Sequence, residues 1–182
     1  DMNADDAINY GAIGMVIGHE MTHGFDDEGR QYDAEGNLKE WWNKDDAAAF
    51  EKKAGAIEAQ FSAYKILDSV SVNGKLTLGE NLADLGGVAI AYDAYKRTAQ
   101  GKANTVTNGM APDERFFISW ANCWKQNITP QLAKRYVAVD PHAPASLRGF
   151  APLTHHDKFY EAFKIQSNAK LFRKPEERVK IW

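Results

Sequence analysis

Read as a string of apolar and polar positions, the 182-residue chain is written mostly in the helical period. Phe50, Ala54, Ile57, Phe61 and Tyr64 recur at steps of three and four, which lays them along one helix face. Asn43 is placed to cap that helix, with Asp45 and Asp46 in the first turn, where the helix dipole favours them. An earlier helix is predicted from about Asp6 to His23, with Asp5 or Asp6 as N-cap and Gly24 as the residue that ends it. Gly11, Gly14 and Gly18 interrupt it, each costing up to about 1 kcal/mol against Ala in an exposed helix. A closely packed neighbour, and so a buried helix, is expected there. The pattern turns to alternation in SVSVNGKLTL, residues 69–78, where Asn73-Gly74 between two short runs signals a hairpin with a type I′ turn. A third helix is predicted from near Gly79 through ENLADLGGVAIAYDAYKR, followed by an exposed loop, GKANTVTNGMAPDE. Pro112 opens a fourth helix through FFISWANCWKQ, Thr129-Pro130 a fifth, and Thr154 with Asp157 a sixth. Between the last two, AVDPHAPASLRGFAPL contains Pro141, Pro144 and Pro152 and reads as an irregular loop carrying the polar groups of His142 and Arg148.

Composition narrows the function classes. The length suits one domain with a real core, and five Trp, nine Phe and seven Tyr exclude disorder. A net charge of −3 with both signs interspersed provides no basic stripe, so neither nucleic acid nor an anionic membrane surface is an expected partner. The longest nearly apolar run, GAIGMVIG at 11–18, is far short of the roughly 20 residues of a spanning helix, so no membrane segment is expected within this chain. Cys123 is the single cysteine, which excludes an internal disulfide and a Cys-based zinc site. Any metal must take His and carboxylate. The start, DMNADDAINY, is acidic, lacks an initiator Met and is unlike a signal peptide, so the chain is expected to begin inside a longer precursor.

The candidate chemistry lies in VIGHEMTHGFDDEG, residues 16–29. On a helix His19 and His23, at i and i+4, share a face and can converge on one ion. Glu20 projects about 100° away, free of the ion but placed to act as general base on a water beside it. A chance pairing on a polar helix face is the competing explanation, so a further ligand has to be found. Catalytic zinc takes three protein ligands and leaves one position open, and Glu80 in GENLADLGG is the best placed third donor. Asp84, at i+4 from Glu80, and Asp26, three residues beyond His23, are candidates to orient the two imidazoles. Gly86 and Gly87 permit close helix packing.

Through NYGAIGMVIGHEMTHGFDDEGR, LGENLADLGG and VDPHAPASLR, in this order, and through the terminal IW, the chain resembles the neprilysin family of zinc endopeptidases over nearly its whole length. The resemblance implies a mainly α fold, the thermolysin-like zincin C-terminal catalytic region with a small β-hairpin, making residues 1–182 one catalytic domain. It implies one zinc ion held by His19, His23 and Glu80, with Glu20 activating the water and Asp26 and Asp84 orienting the histidines. It further implies that His142 stabilises the oxyanion, that Arg148 holds a substrate carbonyl, and that Met15, Val16, Cys123 and Trp124 line the pocket for a large apolar side chain just after the scissile bond. The expected activity is endopeptidase cleavage of short peptides on the amino side of such residues. His155 and His156 match no family motif and read as surface residues in a first helical turn.

The family's upstream helical lobe and substrate-pairing strand are absent from this chain, so its partners are expected to be a peptide substrate and the N-terminal remainder of the same enzyme. Alone, the segment is expected to bind zinc yet cleave poorly, because strand-edge pairing is much of how such sites hold a peptide. Cysteines that animal relatives carry near Lys125 and before the final Arg-Val-Trp are missing, a pattern that looks bacterial and suggests the cell envelope, periplasmic or surface-tethered. Two rival readings are a non-catalytic module with structural zinc and a zinc aminopeptidase.

Overall fold

The computed structural model describes residues 1–67 and 69–181; the terminal Trp182 of the resemblance lies outside them. The helices are α1 (Asp6–Asn9), α2 (Met15–Thr22), α3 (Lys44–Ala63), α4 (Leu78–Arg97), α5 (Ala99–Ala103), α6 (Pro112–Cys123), α7 (Pro130–Val139), α8 (Ala145–Arg148) and α9 (Asp157–Ala162). Strands β1 (Lys65–Ile66) and β2 (Val70–Ser71) pair antiparallel, Lys65 opposite Ser71 and Ile66 opposite Val70. The architecture is mainly helical with one small antiparallel pair, as expected from the hydrophobic period.

Helix α4 is the axis of the molecule. Its first half is buried on every side, and its residues join two cores. Val88, Ala91, Tyr92 and Tyr95 pack with Met15, Phe116, Phe117, Trp120 and Phe159. Leu78, Leu82 and Leu85 pack with the predicted stripe Phe50, Ala54, Ile57 and Phe61 and with Ala143 and Leu147. Caps set several helix starts: Asp5 accepts the Ile8 N–H at 2.9 Å, Asn43 that of Asp46 at 2.8 Å, and Thr129 that of Leu132 at 3.3 Å.

The first predicted helix is broken into three. A π turn, Tyr10–Gly14, separates α1 from α2, and after Thr22 the chain tightens into a 3-10 turn, His23–Phe25, without a left-handed glycine at Gly24. The glycine signal was about proximity, though on one face only. A Cβ on Gly18 would lie 3.0 Å from Gly87 Cα, and one on Gly87 would lie 2.6 Å from the Met15 carbonyl oxygen, so α2 and α4 pack backbone against backbone. The opposite face of the π turn and α2 presents Ile13, Ile17 and Met21 to solvent, so this segment is not buried all round.

Three further expectations are corrected. Asn73-Gly74 does not turn the hairpin, which reverses instead through Leu67 (φ 48°). Asn73 leads into α4, its side chain accepting the Leu76 N–H at 3.1 Å, and Gly74 is required because a Cβ there would meet the Glu58 carbonyl of α3. The sixth helix starts at Asp157 rather than Thr154, preceded by a 3-10 turn, Pro152–His155. His155 is buried, not a surface residue: its Nε2 faces Gln60 Oε1 at 2.6 Å and its Nδ1 accepts the Val179 N–H at 2.8 Å. His156 is half-buried, its ring edge-on to Tyr92 at 4.8 Å.

Candidate metal centre

Close packing of α2 on α4 sets the reach between the two halves of the site. His19 Nε2 and His23 Nε2 stand 3.1 Å apart, with the rings nearly perpendicular. From α4, Glu80 Oε2 lies 3.1 Å from His19 Nε2, and Glu80 Oε1 lies 3.6 Å from His23 Nε2. All three donors fall within 4.8 Å of one another.

Each imidazole is fixed from behind by a carboxylate. His19 Nδ1 is 2.9 Å from Asp84 Oδ1, and His23 Nδ1 is 2.7 Å from Asp26 Oδ2. Asp26 is itself held by the Glu28 and Gly29 N–H groups at 2.9 and 2.8 Å. A carboxylate accepts, so each Nδ1 donates its N–H to the carboxylate behind it and each Nε2 faces the shared centre, where a proton and a metal compete for its lone pair.

That arrangement fits a cation. Two imidazole nitrogens and a carboxylate converge on one point, and a positive charge, a metal ion or a proton, is needed between them. Glu80 Oε2 is buried and makes no hydrogen bond, although three nitrogens, of His19, His142 and Arg148, lie within 3.5 Å. The titration behaviour carries the same signature. Burial alone would lower the His19 pKa, but its contacts with Asp84 and Glu80 outweigh that and raise it to about 9. Burial alone would raise Glu80, yet His19, His142 and Arg148 hold its carboxyl below the ordinary value.

The proline-rich segment closes one side. The His142 side chain is 46 % exposed, its Nε2 3.2 Å from Glu80 Oε2 and its Nδ1 2.7 Å from Asp140 Oδ1. Asp140 was not singled out from the sequence; the available signal was a carboxylate two residues before His142, the spacing at which it also accepts the His142 main-chain N–H at 2.9 Å. Arg148 is 7 % exposed and turned inward onto Asp84. Next to these residues lies a cleft of about 590 Å³ bordered by His142, Arg148, Trp124, Ile128, Tyr136 and Val137.

Glu20 is exposed on α2 beside His19, as its position in the helical turn requires. Of the four residues expected to line an apolar pocket, Trp124 borders the cleft. Met15 is 0 % exposed and belongs to the core, so it presents no surface to a ligand here; core packing claims it because it faces α4 and α6. Val16 and Cys123 are exposed but do not border the cleft, and the Cys123 thiol is pushed up by burial of its environment.

Comparison with known proteins places these features in a family. The model described as "Peptidase family M13" matches residues 1–179. Neprilysin-3 of Drosophila melanogaster is 36% identical over 186 residues, covering 100% of this chain and 23% of its own length. The neutral endopeptidase of Lactococcus lactis is 38% identical over 174 residues, covering 96% of this chain and 26% of its own. Among solved structures, the Mycobacterium tuberculosis zinc metalloprotease Zmp1 in complex with inhibitor is similar with TM-score 0.96 and 42% identity, over 100% of this chain and 29% of that one. The chain thus spans about a quarter of the length of these relatives.

Proposed function

This chain belongs to peptidase family M13, and from that premise we propose that it is the zinc-binding catalytic segment of a metalloendopeptidase, cutting peptides on the amino side of a large apolar residue. The observation that carries the reading is the convergence of His19 Nε2, His23 Nε2 and the Glu80 carboxylate within 4.8 Å, each imidazole backed by its own carboxylate.

His19, His23 and Glu80 hold the ion, while Asp84 and Asp26 fix the two ring planes and keep the protons on Nδ1. When bound, zinc supplies a Lewis acid that polarises the scissile carbonyl and acidifies the attacking water. Glu20 takes the water's proton and returns it to the leaving amine, a role open to it because it is exposed and engaged by neither histidine's carboxylate. His142 turns Nε2 toward the centre while Asp140 accepts its Nδ1–H, so that the doubly protonated ring donates from Nε2 to the oxygen on which negative charge develops. Arg148 spends Nε and one terminal nitrogen on Asp84, which leaves its other terminal nitrogen for a peptide carbonyl. The neighbouring cleft, walled by Trp124, Ile128, Tyr136 and Val137, supports an apolar side chain after the scissile bond.

Glu20→Gln in the enzyme that carries this segment tests the mechanism. Zinc content should stay at one equivalent while kcat falls by about 10²–10⁴-fold, the usual contribution of a positioned general base. Retained activity in a zinc-loaded Glu20→Gln enzyme sinks the assignment.

A further inference from the structure

The Arg148 side chain reaches the centre by a route that peptide binding does not need. Its Nε donates to Asp84 Oδ2 and its Nη2 to Asp84 Oδ1, both at 2.8 Å, and the same Nη2 lies 3.5 Å from Glu80 Oε2. Asp84 Oδ1 also takes His19 Nδ1 at 2.9 Å, so one carboxylate is shared by the guanidinium and a zinc-binding imidazole. Asp84 is 0 % exposed. The guanidinium lies 3.9 Å from the Trp124 ring, and the Arg148 carbonyl accepts the Trp120 Nε1–H at 2.9 Å, so both ends of the residue are held.

Two opposite effects follow. As a charge, Arg148 stands beside a ligand oxygen and repels a cation, which would weaken metal binding. As a rigid fork, it fixes the plane of Asp84 and through it the direction of the His19 lone pair, which would strengthen metal binding. A buried carboxylate held by a single hydrogen bond to an imidazole can rotate, whereas one clamped bidentately cannot. The geometry points to Arg148 as a positioning residue for the metal, acting through Asp84 on His19, beyond any contact it makes with a peptide. This inference rests on the zinc reading above.

Lysine separates the two effects, since Arg148→Lys keeps the charge and loses the fork. Zinc affinity is read by competition with a chromophoric chelator, alongside the unfolding midpoint of the metal-free protein. Removing a partner that orients a metal ligand weakens binding by about 10–100-fold. Arg148→Lys should therefore weaken zinc by about tenfold, and Arg148→Lys combined with Asp84→Asn should be no weaker than Asp84→Asn alone. Unchanged or tighter zinc binding by the lysine variant overturns the inference and leaves the zinc reading standing. Absence of zinc binding by the wild-type protein overturns both. Should the lysine variant not fold, Trp124→Leu removes the wall under the guanidinium without altering any charge, and several-fold weaker zinc binding is expected. Zinc affinity equal to wild type in that variant overturns the inference.

Discussion

At the scale of single residues, the site is built so that a proton and a metal compete for one nitrogen. In the metal-free protein His19 titrates at about 9, because Asp84 and Glu80 outweigh the burial that would lower it. A raised folded-state value means that the contribution to stability is full below about 6.5 and is lost as pH rises through about 9. Zinc binding at pH 7.5 should consequently release close to one proton. Calorimetric titration in buffers of different ionisation enthalpy counts it, and the count should fall toward zero near pH 10. No release at pH 7.5 would mean that the imidazole is already neutral.

At the scale of elements, the glycines and a buried histidine govern different contacts. Gly87→Ala would place a Cβ 2.6 Å from the Met15 carbonyl oxygen and 2.9 Å from the His19 nitrogen, both backbone atoms of α2. Better helix propensity returns at most about 1 kcal/mol, while overpacking costs about 1–3 kcal/mol. Net destabilisation in denaturant melts is expected, with weaker zinc binding because α2 and α4 carry opposite halves of the site. His155 fastens the C-terminal tail to α3 in its neutral form, donating from Nε2 to Gln60 and accepting at Nδ1 from Val179. Burial, with Arg173 and Arg178 nearby, lowers its pKa to about 3, and burial lowers His156 to about 4. A depressed histidine stabilises the fold fully above about 6.5, and that contribution is lost as pH falls toward the folded value. The two oppose His19, so metal-free protein should lose stability as pH drops from 6.5 to 4. His155→Gln should flatten that acid limb in melts across pH; an unchanged limb would assign the loss elsewhere.

At the scale of the whole molecule, the proposed metal ties together the elements between the two cores. His19 and His23 come from the segment packed on one face of α4, and Glu80 from the first turn of α4 itself. Binding only the folded state, zinc at 100 times its dissociation constant adds about 2.7 kcal/mol. For a chain of this size that raises the unfolding temperature by roughly 5–10 °C. Scanning calorimetry with zinc and with a chelator should show this separation, and coincident transitions would mean that the ion is not held by the fold.

Much of this was legible in the sequence, because the information was local. The α3 stripe, the caps at Asp5, Asn43 and Thr129, and the i, i+4 spacing of His19 and His23 are properties of a few neighbouring residues and the 3.6-residue period. The motif order also named Glu80, Asp26, Asp84, His142 and Arg148 before any contact was known. What the tertiary structure decided was how distant segments share space. Gly74 reads as a turn residue but is a point of contact with α3; Met15 reads as a pocket residue but is consumed by the core. His155 reads as exposed but is enclosed by α3 and the tail, and Arg148, read from the sequence as a peptide clamp, also bonds Asp84 through two of its three nitrogens. A sequence states which groups a residue carries, whereas partners from 64 or 95 positions away are chosen only when the helices pack.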